Sequence, residues 1–451
     1  MTLTLAAPRR AWQLWRGPLQ QACYYGLGIV LMKGLSLFML PVFTAYLVPA
    51  EYGRLEVVLA LSSLCGLLIG FGLSEALYRY AGLASSQAER LGVLRNVFSL
   101  SLLLGVCFGL PLLVMAEYIA AWLPGQASAL EVRLLLLSVT LEGCIGIPLA
   151  WLRMCDRASQ FFWLTIGKVS VQALLTLYFL DSGLGVTGVL LAGALSALLL
   201  ASWLLFDCWR QFGLGLEWRR IPELLSYGGP MMISGFAGFV LAGLDRFWLA
   251  AELGEAGMAP YALACKLALA CGILMQPFAL WWYPRRFTLL QEANGRQRAA
   301  QLAVLGSAWA LLVSGAVGLV APLLILWLTP SDYHQAIVLL PWLMLAMACK
   351  HLAELLNLGC YVDRNSQLQM HINLATALLA VFAYMLWIAP YGVLGALWAM
   401  LLCYALRLLL FFVLSQRRLY LPYRMLPLLL AALLAVLMVL GGQWLAAGPG
   451  L

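Results

Sequence analysis

The chain has 451 residues, of which 64% are hydrophobic and 10% charged, with a mean hydropathy of +0.93. That composition lies far outside the soluble globular range and excludes a soluble enzyme or nucleic-acid-binding domain. The net charge of +8 has to be read against a membrane instead.

A helix needs about 20 apolar residues to cross a ~30 Å hydrocarbon core. Stretches of that length predict spans over 21–47, 55–77, 97–121, 130–152, 161–181, 185–206, 226–249, 257–281, 301–328, 334–358, 369–389 and 392–414. A thirteenth follows at 425–446. Segments of about ten alternating residues, the mark of a membrane β-barrel, are missing from the sequence.

The first span runs through YYGLGIVLMKGLSLFMLPVFTAYLV, Tyr24 to Val48, and carries Lys33 near its middle. Lys33 is nine residues from Tyr24, about 14 Å along a helix, whereas a lysine stem reaches only ~6 Å. Snorkelling to the interface would therefore require a tilted or shortened helix. A buried ion pair is the second reading, with Glu56, Glu75, Glu142, Asp245 and Glu354 as available acids. The third, which we prefer, has Lys33 facing a polar cavity, because a charge at mid-bilayer normally marks a substrate or ion path.

Basic residues alternate along the chain. Arg9, Arg10 and Arg16 precede the first span; Arg79, Arg90 and Arg95 fill the second loop; Arg153 and Arg157 fill the fourth. The sixth, eighth, tenth and twelfth connections continue the series from Arg210 to Arg424, whereas the intervening loops hold only Arg54. By the positive-inside rule the N-terminus is cytoplasmic, and the charge reports topology. No cleavable signal peptide is expected.

The basic residues left over lie inside or at the rims of spans: Lys33, Arg133, Lys168, Arg246, Lys266, Lys350 and Arg407. Lys350 with Glu354, and Glu75 with Arg79, are spaced i,i+4 and can neutralise each other on one helix face. Lys168 and Lys266 have no such partner in their own helices. Asp245 and Arg246 are adjacent and point apart. Glu142 stands beside Gly143 and six residues before Pro148, where a kink would admit water, which makes it a candidate protonation site.

The eleven cysteines are scattered without metal spacing and read as packing residues. His334, His351 and His371 are dispersed, and FGLGLE lacks a Walker lysine. No metal, cofactor or nucleic-acid partner is expected.

Six spans precede the basic stretch CWRQFGLGLEWRRIPELLSYGGP and six follow it. The expected organisation is an N-lobe over 1–207, a cytoplasmic amphipathic linker over 208–222, a C-lobe over 223–415 and an additional helix over 416–451. The thirteenth span is then an appendage. Each half opens with a glycine-containing span and a short loop with a tyrosine, PAEYGR or GEAGMAPYA, a weak parallel repeat of the transporter kind.

The run LPVFTAYLVPAEYGRLEVVLALSSLCGLLIGFGLSEALYRYAG resembles the opening of polysaccharide-type flippases of the multidrug/oligosaccharidyl-lipid/polysaccharide (MOP) transporter superfamily. LLSYGGPMMISGFAGFVLAGLDRFWLAAELGEAGMAPYALACKLA is similar to the seventh and eighth helices of that family. The resemblance covers about residues 20–415. It carries family motifs to Glu51, Tyr52, Gly53, Gly72, Leu73, Ala76, Arg79, Pro230, Asp245, Arg246, Tyr261 and Lys266.

What it implies is an all-α polytopic membrane protein of the bacterial cytoplasmic (inner) membrane, with about 12–14 helices in two six-helix lobes forming a V. Such a transporter, not an enzyme, would move a polyprenyl-pyrophosphate-linked glycan of O-antigen or exopolysaccharide synthesis by alternating access, amid membrane lipids and beside a polysaccharide polymerase or export machinery. On this reading Lys33, Arg246, Lys266, Lys168 and Lys350 bind the anionic head, and Asp245 or Glu142 couples an ion. A drug or cation antiporter of the same superfamily is the main alternative, and it would favour acids in the cavity. A membrane-embedded polysaccharide enzyme fits less well: the outer loops are short, and His351 with Glu354 is a weak catalytic pair. A transport-dead scaffold would share the same pattern.

Lys33→Ala is expected to abolish export at unchanged protein level. Normal export by that variant, measured beside an immunoblot of the membrane fraction, removes Lys33 from the mechanism.

Overall fold

The computed structural model describes residues 34, 37–361 and 367–448, and among them every regular element is helical. Lys33 and most of the first span lie outside the described residues. In chain order the helices are α1 (Leu40–Tyr46), α2 (Pro49–Gly70), α3 (Leu73–Leu83), α4 (Gln87–Val114) and α5 (Ala116–Trp122). Then come α6 (Ala129–Thr140), α7 (Glu142–Met154), α8 (Ala158–Asp181), α9 (Gly185–Phe212) and α10 (Ile221–Ala242). The remainder are α11 (Asp245–Leu289), α12 (Gly295–Leu328), α13 (Ala336–Leu355), α14 (Gln367–Arg418) and α15 (Met425–Ala446).

Among the described residues, ten helical stretches are long and apolar enough to cross a membrane. Two of them, Trp218–Tyr283 with 66 residues and Gln367–Arg418 with 52, would measure ~100 and ~80 Å if straight, far more than a bilayer core. Each doubles back at a glycine in a conformation L side chains rarely adopt: Gly254 at φ 73° and Gly392 at φ 55°. The reversal is seen in side chains, since Tyr261 bonds Asp245 sixteen residues earlier. With these reversals, each span expected from 55–77 to 425–446 falls on a helix, a helical limb or two helices joined end to end.

Several crossings are broken. Phe71 and Gly72, both left-handed, separate α2 from α3. Leu141 separates α6 from α7, where Cys144 N–H reaches back three residues to the Leu141 carbonyl. The kink anticipated near Pro148 therefore falls seven residues earlier.

Helices α1–α9 pack mainly on one another, as do α10–α15; the principal contacts between the groups join α2 to α11, and α10 to α2 and α3. α15 is more than an appendage: it lies along α12 so closely that a Cβ on Gly442 would stand 2.4 Å from the Gly318 carbonyl oxygen. Such small-residue seams let apolar helices associate where lipid competes equally for their side chains.

Between the groups the stretch 213–217 has no regular helix and docks on α4. Gly215 N–H donates to Ser99 Oγ at 3.0 Å and Glu217 N–H to Asn96 Oδ1 at 2.7 Å. Glu217 also pairs with Arg220 at 2.9 Å.

The motif residues cluster where the groups meet. Near the start of α2, a Cβ on Gly53 would stand 1.9 Å from the Glu255 carbonyl oxygen, and Tyr52 packs edge-on against Tyr333. Tyr333 donates to the Leu47 carbonyl at 3.0 Å, and Glu255 accepts from Gln126 N–H at 2.8 Å. At the far end of this crossing Phe71 meets Gly228 of α10, two residues before Pro230, and Tyr80 packs on Tyr227. Arg79 stacks on Tyr227 at 4.8 Å, in place of the expected pairing with Glu75.

Gly53→Ala forces backbone apart at the first contact and is expected to destabilise the fold by about 1–3 kcal/mol, lowering the thermal unfolding midpoint. Gly167→Ala, in open space on α8, leaves the midpoint unchanged or raises it.

Candidate functional site

The candidate site begins at the PAEYGR turn. Pro49 opens α2 and the Glu51 carboxylate accepts from Val48 N–H at 3.3 Å, so the turn is a helix N-terminus. Glu56, four residues after Tyr52, lies on the same face as that tyrosine and is directed at the second group. It is 5% exposed.

There one carboxylate serves two cations. Oε1 of Glu56 is 2.6 Å from Lys266 Nζ, and Oε2 is 3.7 Å from Arg246 Nε. Arg246 and Lys266 come from opposite limbs of α11, on either side of the reversal at Gly254. Lys266 Nζ also faces the rings of Phe43 at 5.5 Å and Tyr52 at 5.7 Å.

The break between α10 and α11 shapes the rest. Gly243 leaves helical geometry, and Arg246 turns its guanidinium back to cap the exposed Ala242 carbonyl at 2.9 Å. Asp245, 1% exposed, accepts from Arg246 N–H at 3.0 Å and from the Tyr261 hydroxyl. Two carboxylates and two cations thus balance at the junction of the groups. Removing one partner of a buried pair typically costs about 3–5 kcal/mol.

Beside this cluster lies a cavity of about 860 Å³ walled by α1, α2, α3, α6, α7, α8 and α9, with Lys266 contributed from α11. Lys168 and Gln172, one turn apart on α8, both line it, as do Glu142 at the start of α7 and Arg153 at its end. Ser62, Ser63 and Ser138 add hydroxyls to an otherwise mainly apolar wall. Arg153 also stacks on Tyr78 at 5.7 Å and Phe161 at 5.5 Å.

Of the residues singled out in the sequence, Lys168, Lys266 and Glu142 therefore share one cavity, and Arg246 adjoins it through Glu56. Asp245 does not line it. Lys350 lies elsewhere, in a cavity of about 410 Å³ between α11 and α13. Its expected partner Glu354 instead stands 3.5 Å from His351 Nδ1.

Sequence reasoning missed Glu56 as a site residue, naming it only as an acid available to Lys33. The signal was its place one turn inside the Tyr52–Gly53 start. Charge alternation puts Arg153 in a loop, and no sequence signal marks Gln172. Among the described residues no His, Cys, Asp or Glu cluster has metal-binding arrangement, and the cysteines are free.

Glu56→Gln is expected to lower the unfolding midpoint. A double-mutant cycle with Lys266→Gln returns a coupling of about 1–3 kcal/mol; additive effects would show that the pair carries no energy.

Residues 19–289, more than half of the chain, match the family described as polysaccharide biosynthesis protein. The succinoglycan biosynthesis transport protein ExoT of Rhizobium meliloti (strain 1021) is 27% identical over 228 residues, 47% of this chain and 44% of that protein. The match thus spans less than half of the relative's length. Among solved structures, the lipid II flippase MurJ in an inward closed conformation superposes with a TM-score of 0.70 at 12% identity, over 92% of this chain and 91% of that one. An inward-facing multidrug resistance MATE family transporter of the MOP superfamily gives 0.61 at 15% identity, over 86% of this chain and 94% of that one. At these identities the structures speak for the fold. The chain belongs to the polysaccharide biosynthesis protein family and is a multi-pass membrane protein that shares the fold of these two transporters.

Proposed function

We propose that this transporter flips a polyprenyl-pyrophosphate-linked glycan, destined for O-antigen, exopolysaccharide or a similar cell-surface polymer, from the cytoplasmic to the outer leaflet of a bacterial inner membrane. The observation that carries this reading is the 860 Å³ cavity, where Arg153, Lys168 and Lys266 stand against the single carboxylate of Glu142. A pyrophosphate cannot enter hydrocarbon unpaired, and such cations compensate it. Hydroxyls and Gln172 suit a sugar, and the lipid tail stays in the bilayer. The family match and the succinoglycan transport relative support the same substrate class.

In this scheme residues 1–207 and 223–415 are the two rocking lobes, joined by 208–222, with 416–451 bracing the second, and the N-terminus is cytoplasmic. The contact at Gly53 and Glu255 then closes the outer side, and the contact of Phe71 with Gly228 the inner side. Alternating access opens one while the other holds. Lys33, Lys168, Lys266 and Arg246 serve the head group. Glu142, which reaches the cavity, is the coupling acid, whereas Asp245 is shut behind Tyr261 and holds the α10–α11 break. The product is handed to a polymerase or export assembly on the outer face. Cations outnumbering acids in the cavity disfavour a drug or cation antiporter.

In cells lacking the protein, the lipid-linked glycan is expected to accumulate in the cytoplasmic leaflet. The intact protein reverses this, and Lys168→Ala at equal protein level restores less than a tenth of the flux, measured by leaflet-selective labelling of lipid extracts. Unchanged glycolipid with altered sensitivity to cationic drugs would move the protein to the antiporter class.

A further inference from the structure

The second cavity plays no part in that path. It shares no lining residue with the first, and its polar wall consists of Gln276 and Tyr283 from α11 with Lys350, His351 and Glu354 from α13. Its surroundings are cationic. Arg286, 8% exposed, lies between the rings of Tyr283, Phe287 and Tyr361 at 4.5–5.0 Å and bonds Asn357 Oδ1 at 3.3 Å. Arg407 of α14 stacks on Phe411 at 5.4 Å and lies within electrostatic reach of Glu354, Tyr283 and Tyr361.

Among the described residues, Lys350 and Arg407 thus face the carboxylate of Glu354, which His351 engages, and Arg286 adds a third cation against Tyr283 of the same wall. None of the three cations has a carboxylate within 4 Å there. Three nitrogens are buried without a partner: Nε of Arg286, Nε of Arg407 and Nε2 of His351. His351 is 7% exposed and lines the cavity. Buried donors and uncompensated cations are costly unless something neutralises them.

We propose that this cavity is a second, separate anion site that takes a phosphate-class group, either free phosphate or pyrophosphate or the phosphate of a lipid head group. Lys350 and His351 meet the oxygens directly, and Arg286 and Arg407 supply the surrounding positive field. A volume of about 410 Å³ suits a phosphate-bearing head better than an oligosaccharide. The site does not rest on the flippase reading.

The test uses full-length protein in nanodiscs. In phosphatidylcholine discs, radiolabelled pyrophosphate binding is measured for the wild type, Lys350→Gln and Lys168→Gln. In discs doped with phosphatidylglycerol, native mass spectrometry counts the anionic lipid retained. The expected result is a component, in one arm or the other, that Lys350→Gln weakens at least tenfold, Lys350→Arg restores and Lys168→Gln leaves in place. Dependence in the first arm alone identifies a free anion, and in the second a lipid head group. Should Lys350→Gln not fold, His351→Gln and Arg407→Gln take its place. Absence of binding in both arms, or binding indifferent to these substitutions, overturns the site while leaving the transport reading intact.

Discussion

A carboxylate buried in an apolar protein must be met by positive charge, and Glu56 is met twice. Lys266 and Arg246 belong to the two limbs of a helix that reverses at Gly254, so the pairing fixes the reversal as well as the meeting of α2 with α11. In lipid, helices gain little by hiding apolar side chains from one another, and a polar contact of this kind discriminates among many equally greasy arrangements. The close approach at Gly53, the edge-on rings of Tyr52 and Tyr333, and the Asp245–Tyr261 bond all lie within a few turns of it.

The same cluster joins architecture to transport. Lys266 is at once the partner of Glu56 and part of the cavity wall. On the proposed transport reading, an anionic head entering the cavity would meet a lysine that also holds the two helix groups together. Among the described residues Arg153 and Lys168 pair with no carboxylate across the junction, so the three cations of the cavity are not equivalent.

The membrane helices were legible because hydropathy over twenty residues is a long signal that tertiary packing seldom overrides. The family was legible in PAEYGR, EALYRYAG and LDRFW, which mark the places where the helix groups touch. Partners were less legible. Helical spacing paired Lys350 with Glu354 and Glu75 with Arg79, but His351 and Tyr227 are nearer across or along the packed faces. Glu56 and Lys266 are 210 residues apart, and no periodicity links them. The kink at Leu141 was misplaced to Pro148 because a proline announces itself in sequence, whereas a three-residue hydrogen bond does not. Nothing in the composition of 208–222 shows that its non-helical middle, 213–217, is held on α4 by Asn96 and Ser99.

The break at Gly243 has a further consequence. On the transport reading proposed above, a carrier returns unloaded, and cations without a counter-ion would oppose that empty leg. By shortening α10 and turning Arg246 and Lys266 towards Glu56, the fold gives two of its cations an internal counter-ion that needs no cargo. With Asp245 beside them these four charges cancel at the junction, so on that reading the positive charge left for a substrate to meet is that of Arg153 and Lys168, set against Glu142.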